Sequence, residues 1–211
     1  KQPMWSRDSK SLQITIVEKG KSRIVEIDID SGTVTDISQQ ENIAYGQKSE
    51  DGTMSYWMEK SGKSWSLVQN DLTTGAKKAL FNEAITRYSI IGKRLIYQLI
   101  GSNKVYRTDI DNPISHSSVK RPLIKTSYLL DWTTSKDSIY YSAYVPKENA
   151  PADVVVYKYN VDTGNTETMM KLNLYGEQYL RSGMSISKDE KTVYYTRQKR
   201  PRFDIILMGQ R

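Results

Sequence analysis

The sequence predicts an all-β fold, a β-propeller of about five four-stranded antiparallel blades, and three observations predict it. Short runs rich in Val, Ile, Thr and Tyr dominate the 211 residues, bounded by Gly, Asp, Asn and Ser. Few segments carry the spacing of an amphipathic helix, and many of the runs alternate apolar and polar residues as half-buried strands do. The runs recur as units. Their opening turns align at Asp8, Asp51, Ile91, Asp137 and Asp189, with successive spacings of 43, 40, 46 and 52 residues, against roughly 40–50 residues for one propeller blade.

The units place the blades at about 1–40, 41–82, 83–125, 126–173 and 174–211, in a single domain. The first opens Met4-Trp5-Ser6-Arg7-Asp8-Ser9-Lys10 and continues into strands Leu12–Val17 and Arg23–Ile29 and the turn Asp30-Ser31-Gly32. The second has Ser49-Glu50-Asp51-Gly52, strands Met54–Met58 and Trp65–Asn70, and the turn Thr73-Thr74-Gly75. The third is degenerate: Ser89–Gly92, strands Arg94–Leu99 and Val105–Ile110, then Asp111-Asn112-Pro113. The fourth has Trp132–Asp137, strands Ser138–Tyr144 and Val154–Asn160, and the turn Asp162-Thr163-Gly164; the fifth has Ser185–Glu190 and strands Thr192–Thr196 and Phe203–Met208. Fourth strands are expected at Thr33–Ile37, Ala76–Leu80, Val119–Ile124 and Thr166–Leu172. The widest spacing is assigned to an insertion, Pro146–Asp153, and a long link, Asn173–Ser182.

Asp and Gly in the opening and closing turns supply tight hairpins. One blade cannot bury both apolar faces alone, so blades stack radially; a sandwich with similar hairpins is the competing architecture. Trp5, Tyr56, Ile96, Tyr140 and Tyr194 are expected at equivalent buried positions. The fifth unit ends after its third strand. That predicts further blade sequence before Lys1, and otherwise an open sheet edge at Phe203–Met208.

Composition narrows the chemistry. The absence of cysteine removes disulfides, thiol catalysis and Cys-ligated metals. No stretch approaches the ~18–20 apolar residues of a membrane span. The chain opens Lys1-Gln2-Pro3 without an initiator Met, which reads as an excised segment. The net charge of +7 favours acidic partners where it clusters.

Catalytic patterns are weak. His116 is the one histidine, in a Pro/Ser-rich link, and no Gly-x-Ser-x-Gly elbow accompanies it, so it reads as a loop residue. Asp28-x-Asp30 and Asp109-x-Asp111 lack the further oxygen ligands of a calcium loop and read as turn caps. Ser49-Glu50-Asp51-Gly52-Thr53 reads as a blade turn, and Gly62-Lys63-Ser64 as a hairpin tip and not a phosphate loop. No enzyme activity, cofactor or metal is expected.

Trp5-Ser6-Arg7-Asp8-Ser9-Lys10, Ser187-Lys188-Asp189-Glu190-Lys191 and Phe203-Asp204-Ile205-Ile206-Leu207-Met208 resemble the TolB-type, WD-repeat-like propeller repeat. That repeat has a Trp-Ser-Pro-Asp-Gly-Lys turn, an Asp-Ile-Tyr-type strand and an Asp-x-x-Thr-Gly turn; the two turns here depart at its Pro and Gly positions. The tail, from Lys191-Thr192-Val193-Tyr194-Tyr195-Thr196-Arg197 through Met208, is similar to bacterial membrane-anchored regulators of the CadC/ToxR-like type. That resemblance implies a periplasmic sensor propeller, with DNA binding and the membrane span in upstream segments. TolB itself, prolyl oligopeptidase-type peptidases and some receptor kinases carry similar propellers. They imply a periplasmic scaffold or a gate over a downstream peptidase as alternatives.

Sorting the loops of a propeller to its two ends collects the basic residues on one face. Lys147, Tyr175, Tyr179, Arg181, Lys199, Arg200 and Arg202 are the candidate partner-binding residues there, enlarged by Pro146–Asp153 and the link Tyr175–Arg181. Such a face suits a protein partner or a small anionic ligand. The basic run Lys199-Arg200-Pro201-Arg202 reads as loop charge between strands, with no direct nucleic-acid contact by this segment.

Overall fold

The computed structural model consists of strands and turns, with no helix among the described residues. It describes the chain except residues 1–3, 7–9, 19–20, 41, 50, 63, 82–84, 113–121, 127–128, 173–178, 188, 200–201 and 210–211. At 4–5, 39–40, 61, 64, 151, 179–182, 196–199 and 202–209 it describes the backbone alone.

The strands form five sheets. The first contains β1 (Met4–Trp5), β2 (Ser11–Glu18), β3 (Lys21–Asp28) and β4 (Val34–Gln40). The second contains β5 (Ile43–Lys48), β6 (Met54–Ser61), β7 (Ser64–Asp71) and β8 (Lys77–Phe81). The third has β9 (Ile85–Ile91), β10 (Arg94–Leu99), β11 (Lys104–Asp109) and the two-residue β12 (Ile124–Lys125). The fourth has β13 (Leu129–Ser135), β14 (Ser138–Lys147), β15 (Ala150–Asn160) and β16 (Thr166–Leu172). The fifth has three strands, β17 (Tyr179–Ile186), β18 (Thr192–Lys199) and β19 (Arg202–Gly209). Neighbouring strands are consecutive in the chain, and the pairs with a described register are antiparallel, as strands joined by tight hairpins must be.

Residues 1–122 and 123–211 form two compact units. In the first unit, Ile24, Ile43, Trp57 and Val68 join the first sheet to the second. A larger cluster including Tyr56, Met58, Phe81, Tyr88, Leu95 and Tyr97 joins the second to the third. In the second unit, Tyr140, Val154, Val156, Met184, Val193 and Tyr195 join the fourth sheet to the fifth.

Three expectations change. Pro146–Asp153 is not a loop insertion: β14 and β15 run through it as a long hairpin, and the chain reverses at Glu148-Asn149, with Asn149 at φ 55°. The link Tyr175–Arg181 contains the start of β17, so Tyr179 and Arg181 are strand residues. Trp132 is likewise not in a turn but inside β13, buried.

The register also refines the equivalent column. Ser11, Met54, Arg94, Ser138 and Thr192 stand opposite Asp28, Asp71, Asp109, Asn160 and Gly209. Two residues further on, the column reads Gln13, Tyr56, Ile96, Tyr140 and Tyr194. Tyr56, Ile96 and Tyr140 are buried as expected, and Tyr194 is half-buried. Trp5 is not in that column; it lies in β1, its backbone paired with Leu12 of β2, and Gln13 holds the place.

Candidate binding surface

The turns at one end of the sheets obey two rules, both made by a side-chain oxygen capping backbone N–H groups. The first joins the third and fourth strands. Asp28 accepts from the Ser31 N–H and hydroxyl, each at 2.8 Å; Asp71 accepts from the N–H of Thr73 and Thr74; Asn160 accepts from the N–H of Asp162 and Thr163. Asp109 caps the Asp111 N–H at 2.8 Å. The Asp-x-Asp pairs are therefore turn caps, as their residues imply.

The second rule joins the first and second strands. Ser49 donates its hydroxyl to Asp51 at 2.6 Å, and Asp51 also accepts from the N–H and hydroxyl of Thr53. The Ser49 hydroxyl oxygen accepts the Met54 N–H at 2.8 Å. Ser187, Asp189 and Thr192 repeat the arrangement in the fifth sheet, and the Ser6 hydroxyl accepts the Ser11 N–H at the first. The hydrogen bonds from Ser49 and Thr53 hold the Asp51 carboxyl down at about 2.

The polar groups that sequence reading missed are staples between neighbouring sheets. Gln13 accepts the Lys48 N–H at 2.9 Å and Thr15 the Tyr45 N–H at 3.1 Å, tying the first sheet to β5. Gln47 binds both the N–H and the carbonyl of Ile90, tying the second sheet to β9. Buried Asp131 accepts the N–H groups of Gly183 at 2.6 Å and Met184 at 2.8 Å, tying β13 to β17. Two half-buried ion pairs add to these. Lys48 meets Glu26 at 2.8 Å, and Lys158 meets Glu190 at 2.9 Å. Burial would raise the Glu26 carboxyl, but hydrogen bonds from Lys48 and Ser11 outweigh it and leave it low. Burial pushes the Tyr140 phenol up, and the Glu190 carboxylate beside it adds to this. The one clue in the sequence is a polar residue inside an apolar strand, as in Leu129-Leu130-Asp131-Trp132.

Of the candidate binding residues, Lys147 is the one whose side chain is described. It meets Asp153 at 2.6 Å, and Lys171 holds the other oxygen of the same carboxylate. Hydrogen bonds from Lys147 and Lys171 hold the Asp153 carboxyl low. Two lysines on one aspartate leave a local surplus of one positive charge. Sequence reading missed Lys171 because β16 returns it to the hairpin through the register Val155–Lys171. Tyr175 and Arg200 lie outside the described residues, as does His116; for Tyr179, Arg181, Lys199 and Arg202 the backbone alone is described, with Lys199 and Arg202 paired at the hairpin end of β18 and β19.

Two shallow hollows accompany this framework. One, of about 260 Å³, is lined by Lys158, Asn160, Thr163, Asn165, Thr166 and Glu167. The other, of about 200 Å³, is lined by Met54, Gln69, Asp71, Ala76, Lys77 and Lys78. They occupy equivalent places beside the third turn of the fourth and second sheets. Both fall below the roughly 300–1,000 Å³ of small-molecule pockets. They are by-products of the repeat.

Solved structures match this arrangement along nearly its whole length. TolB from Acinetobacter baumannii matches with a TM-score of 0.73 and 22% identity, covering 99% of this chain and 51% of that one. The fold is a β-propeller. The putative TolB from Agrobacterium tumefaciens matches with a TM-score of 0.61 and 15% identity, over 99% of this chain and 76% of that one. An acylaminoacyl peptidase matches with a TM-score of 0.55 and 15% identity, over 95% of this chain and 36% of that one. The propeller described here thus spans about half of the Acinetobacter TolB. No protein-family model matches the sequence, and no curated protein does.

Proposed function

We propose that this propeller is a non-catalytic binding module of the bacterial cell envelope, recognising a protein partner or a small anionic ligand through its basic loops. The observation that supports it best is the likeness to TolB over 99% of the chain, with a higher TM-score than the peptidase gives. The framework fits such a role. Asp28, Asp51, Asp71, Asp109 and Asn160 cap turns and Gln13, Gln47 and Asp131 staple sheets, and rigid scaffolds with loops at the ends are where binding commonly resides. In its narrower form the module is the periplasmic sensor of a membrane-anchored regulator of the CadC/ToxR-like type, which the tail sequence resembles; a winged helix upstream would then bind DNA. A TolB-like scaffold without such a helix, or a gate over a peptidase, are the other forms.

The full-length gene and its product test the reading. A winged-helix pattern and one apolar span of ~20 residues before Lys1, with a reporter response lost on reversing Lys199, Arg200 and Arg202 to Glu, supports the sensor. A Gly-x-Ser-x-Gly segment after Arg211 together with peptide hydrolysis by the full-length product overturns the non-catalytic reading. A response that survives the charge reversal with unchanged salt dependence overturns the basic surface.

A further inference from the structure

The hairpins that join the second and third strands of the first three sheets end together. Thr15 and Gln13 of β2 meet Tyr45 and Lys48 of β5, so these two strands run antiparallel and β6 runs parallel to β2. The Tyr88 hydroxyl meets the Tyr45 carbonyl and Gln47 holds Ile90, so β5 runs parallel to β9, and β10 runs parallel to β6. The tips that follow β2, β6 and β10 therefore lie at one end of this unit.

Val17, Lys60 and Ile100 hold one equivalent place on those tips, each six residues past Ser11, Met54 or Arg94. Val17 is 57% exposed and Ile100 61%, the most exposed large apolar side chains among the described residues. Lys60, on the sheet between theirs, is exposed as well. Ile100 stands at the apex of its turn, which the Ser102 N–H closes onto the Leu99 carbonyl at 3.1 Å, with Gly101 at φ 75°. Gly, Asn, Asp and Ser are the residues such apices favour, because they serve the backbone of the turn; a β-branched aliphatic does not, and is left in water. Half-buried Trp65 stands opposite Lys60 across the second hairpin. Lys21 and Lys104, both exposed, begin the returning strands of the other two. The carboxylates described beside them are engaged. Glu18 meets Arg23 at 3.9 Å, and Glu59 accepts from Trp57 Nε1 at 3.2 Å.

We infer that this end of the first three sheets docks on an anionic lipid surface. Val17 and Ile100 enter the boundary between headgroups and acyl chains, and Lys21, Lys60 and Lys104 meet the phosphates. The two aliphatic side chains stand on separate tips, with the second sheet between them. A protein interface concentrates its energy in a close-packed centre, whereas a fluid bilayer closes around each protruding group by itself. Lysines are drawn to the negative potential of such a surface and lay their stems along its apolar boundary. A tryptophan, with an apolar body and a polar edge, suits the same depth. This docking does not rest on the protein partner or small anion proposed above.

The test is sedimentation of the 211-residue chain with vesicles of phosphatidylcholine alone, and of phosphatidylcholine and phosphatidylglycerol in equal amounts. The chain should bind the second kind and leave the first, and added salt should release it. Val17→Ser and Ile100→Ser should each weaken binding about tenfold, the worth of one aliphatic side chain entering an apolar medium. Both residues are exposed, so neither change should move the unfolding midpoint. Lys60→Ala should weaken binding about fivefold, the worth of one lysine beside an anionic surface. Ile29→Ser removes a 47% exposed aliphatic side chain at the other end of the first sheet and should change nothing. Tryptophan emission should shift to the blue on binding, and Trp65→Phe should abolish the shift. No binding to the anionic vesicles overturns the inference. So does binding that the two serine variants leave intact, or that Ile29→Ser weakens as much. Capture of polyglutamate in place of the vesicles, lost in Lys60→Ala and kept in Ile100→Ser, overturns it too, because the surface then serves an acidic protein.

Discussion

Glu190 occupies in the fifth sheet the place that Gly52 occupies in the second, and both have left-handed backbones, φ 61° and 73°. In each turn the residue donates its N–H to the serine three positions earlier, Ser187 or Ser49. Left-handed backbone is easy for glycine and costs roughly 1 kcal/mol elsewhere. The carboxylate of Glu190 offsets this by holding Lys158 of the neighbouring sheet.

Glu190→Gly therefore relieves the backbone and removes the ion pair. The pair is largely shielded from water and charge-assisted, so the loss should win, with net destabilisation of about 1–2 kcal/mol. In a Lys158→Met background the same change should be neutral or stabilising. A double-mutant cycle in urea reads this. Equal effects in both backgrounds would show that the pair contributes nothing.

Asp131→Ala should cost about 2–4 kcal/mol, because two backbone N–H groups lose a charged acceptor in a buried place. Asp131→Asn keeps one acceptor oxygen and should cost less. Amide exchange at Gly183 and Met184 should quicken in both variants, more in the alanine. Unchanged exchange there would sink this assignment.

Gly46 is pressed against Ile24. A Cβ on Gly46 would lie 2.3 Å from Cγ2 and 2.7 Å from Cδ1 of that buried side chain. Gly46→Ala should destabilise by about 1–3 kcal/mol, the usual range for overpacking. Ile24→Ala removes both clashing atoms, so the double variant should be more stable than the sum of the single losses. Strict additivity in thermal unfolding would count against the contact.

Asp51 governs part of the acid limb. Its folded value of about 2 lies below the ordinary 3.8, so its contribution is fully present above pH 3.8 and is lost as pH falls toward 2. Asp51→Asn keeps an acceptor at the same place without the titration. The stability of the variant should fall less steeply between those two pH values. Identical acid limbs for the two proteins would refute this reading.

Local chemistry was the part of this protein that could be read in advance. Asp28, Asp71 and Asp51 cap turns two or three residues away, so the motif and its partner sit in one glance. Strand period and spacing made the propeller legible for the same reason. Gln13, Gln47 and Asp131 act on backbone 35, 43 and 52 residues further on, and nothing near them in sequence announces the partner. The surplus charge at Lys147 was half legible, since Lys171 joins it only through the register of β15 and β16.

The order of the strands bears on how the polypeptide is made. Every sheet is built from strands consecutive in the chain, so each has all its strands once roughly 40–50 residues have been synthesised. A ribosome adding about 5–20 residues per second delivers such a length in seconds, whereas a hairpin forms in about 1–10 μs. Pairing of adjacent strands is thus far faster than delivery of the chain. The staples from Gln13, Gln47 and Asp131 all reach forward along the chain, so the first, second and fourth blades leave the ribosome with polar side chains turned toward a strand that follows them.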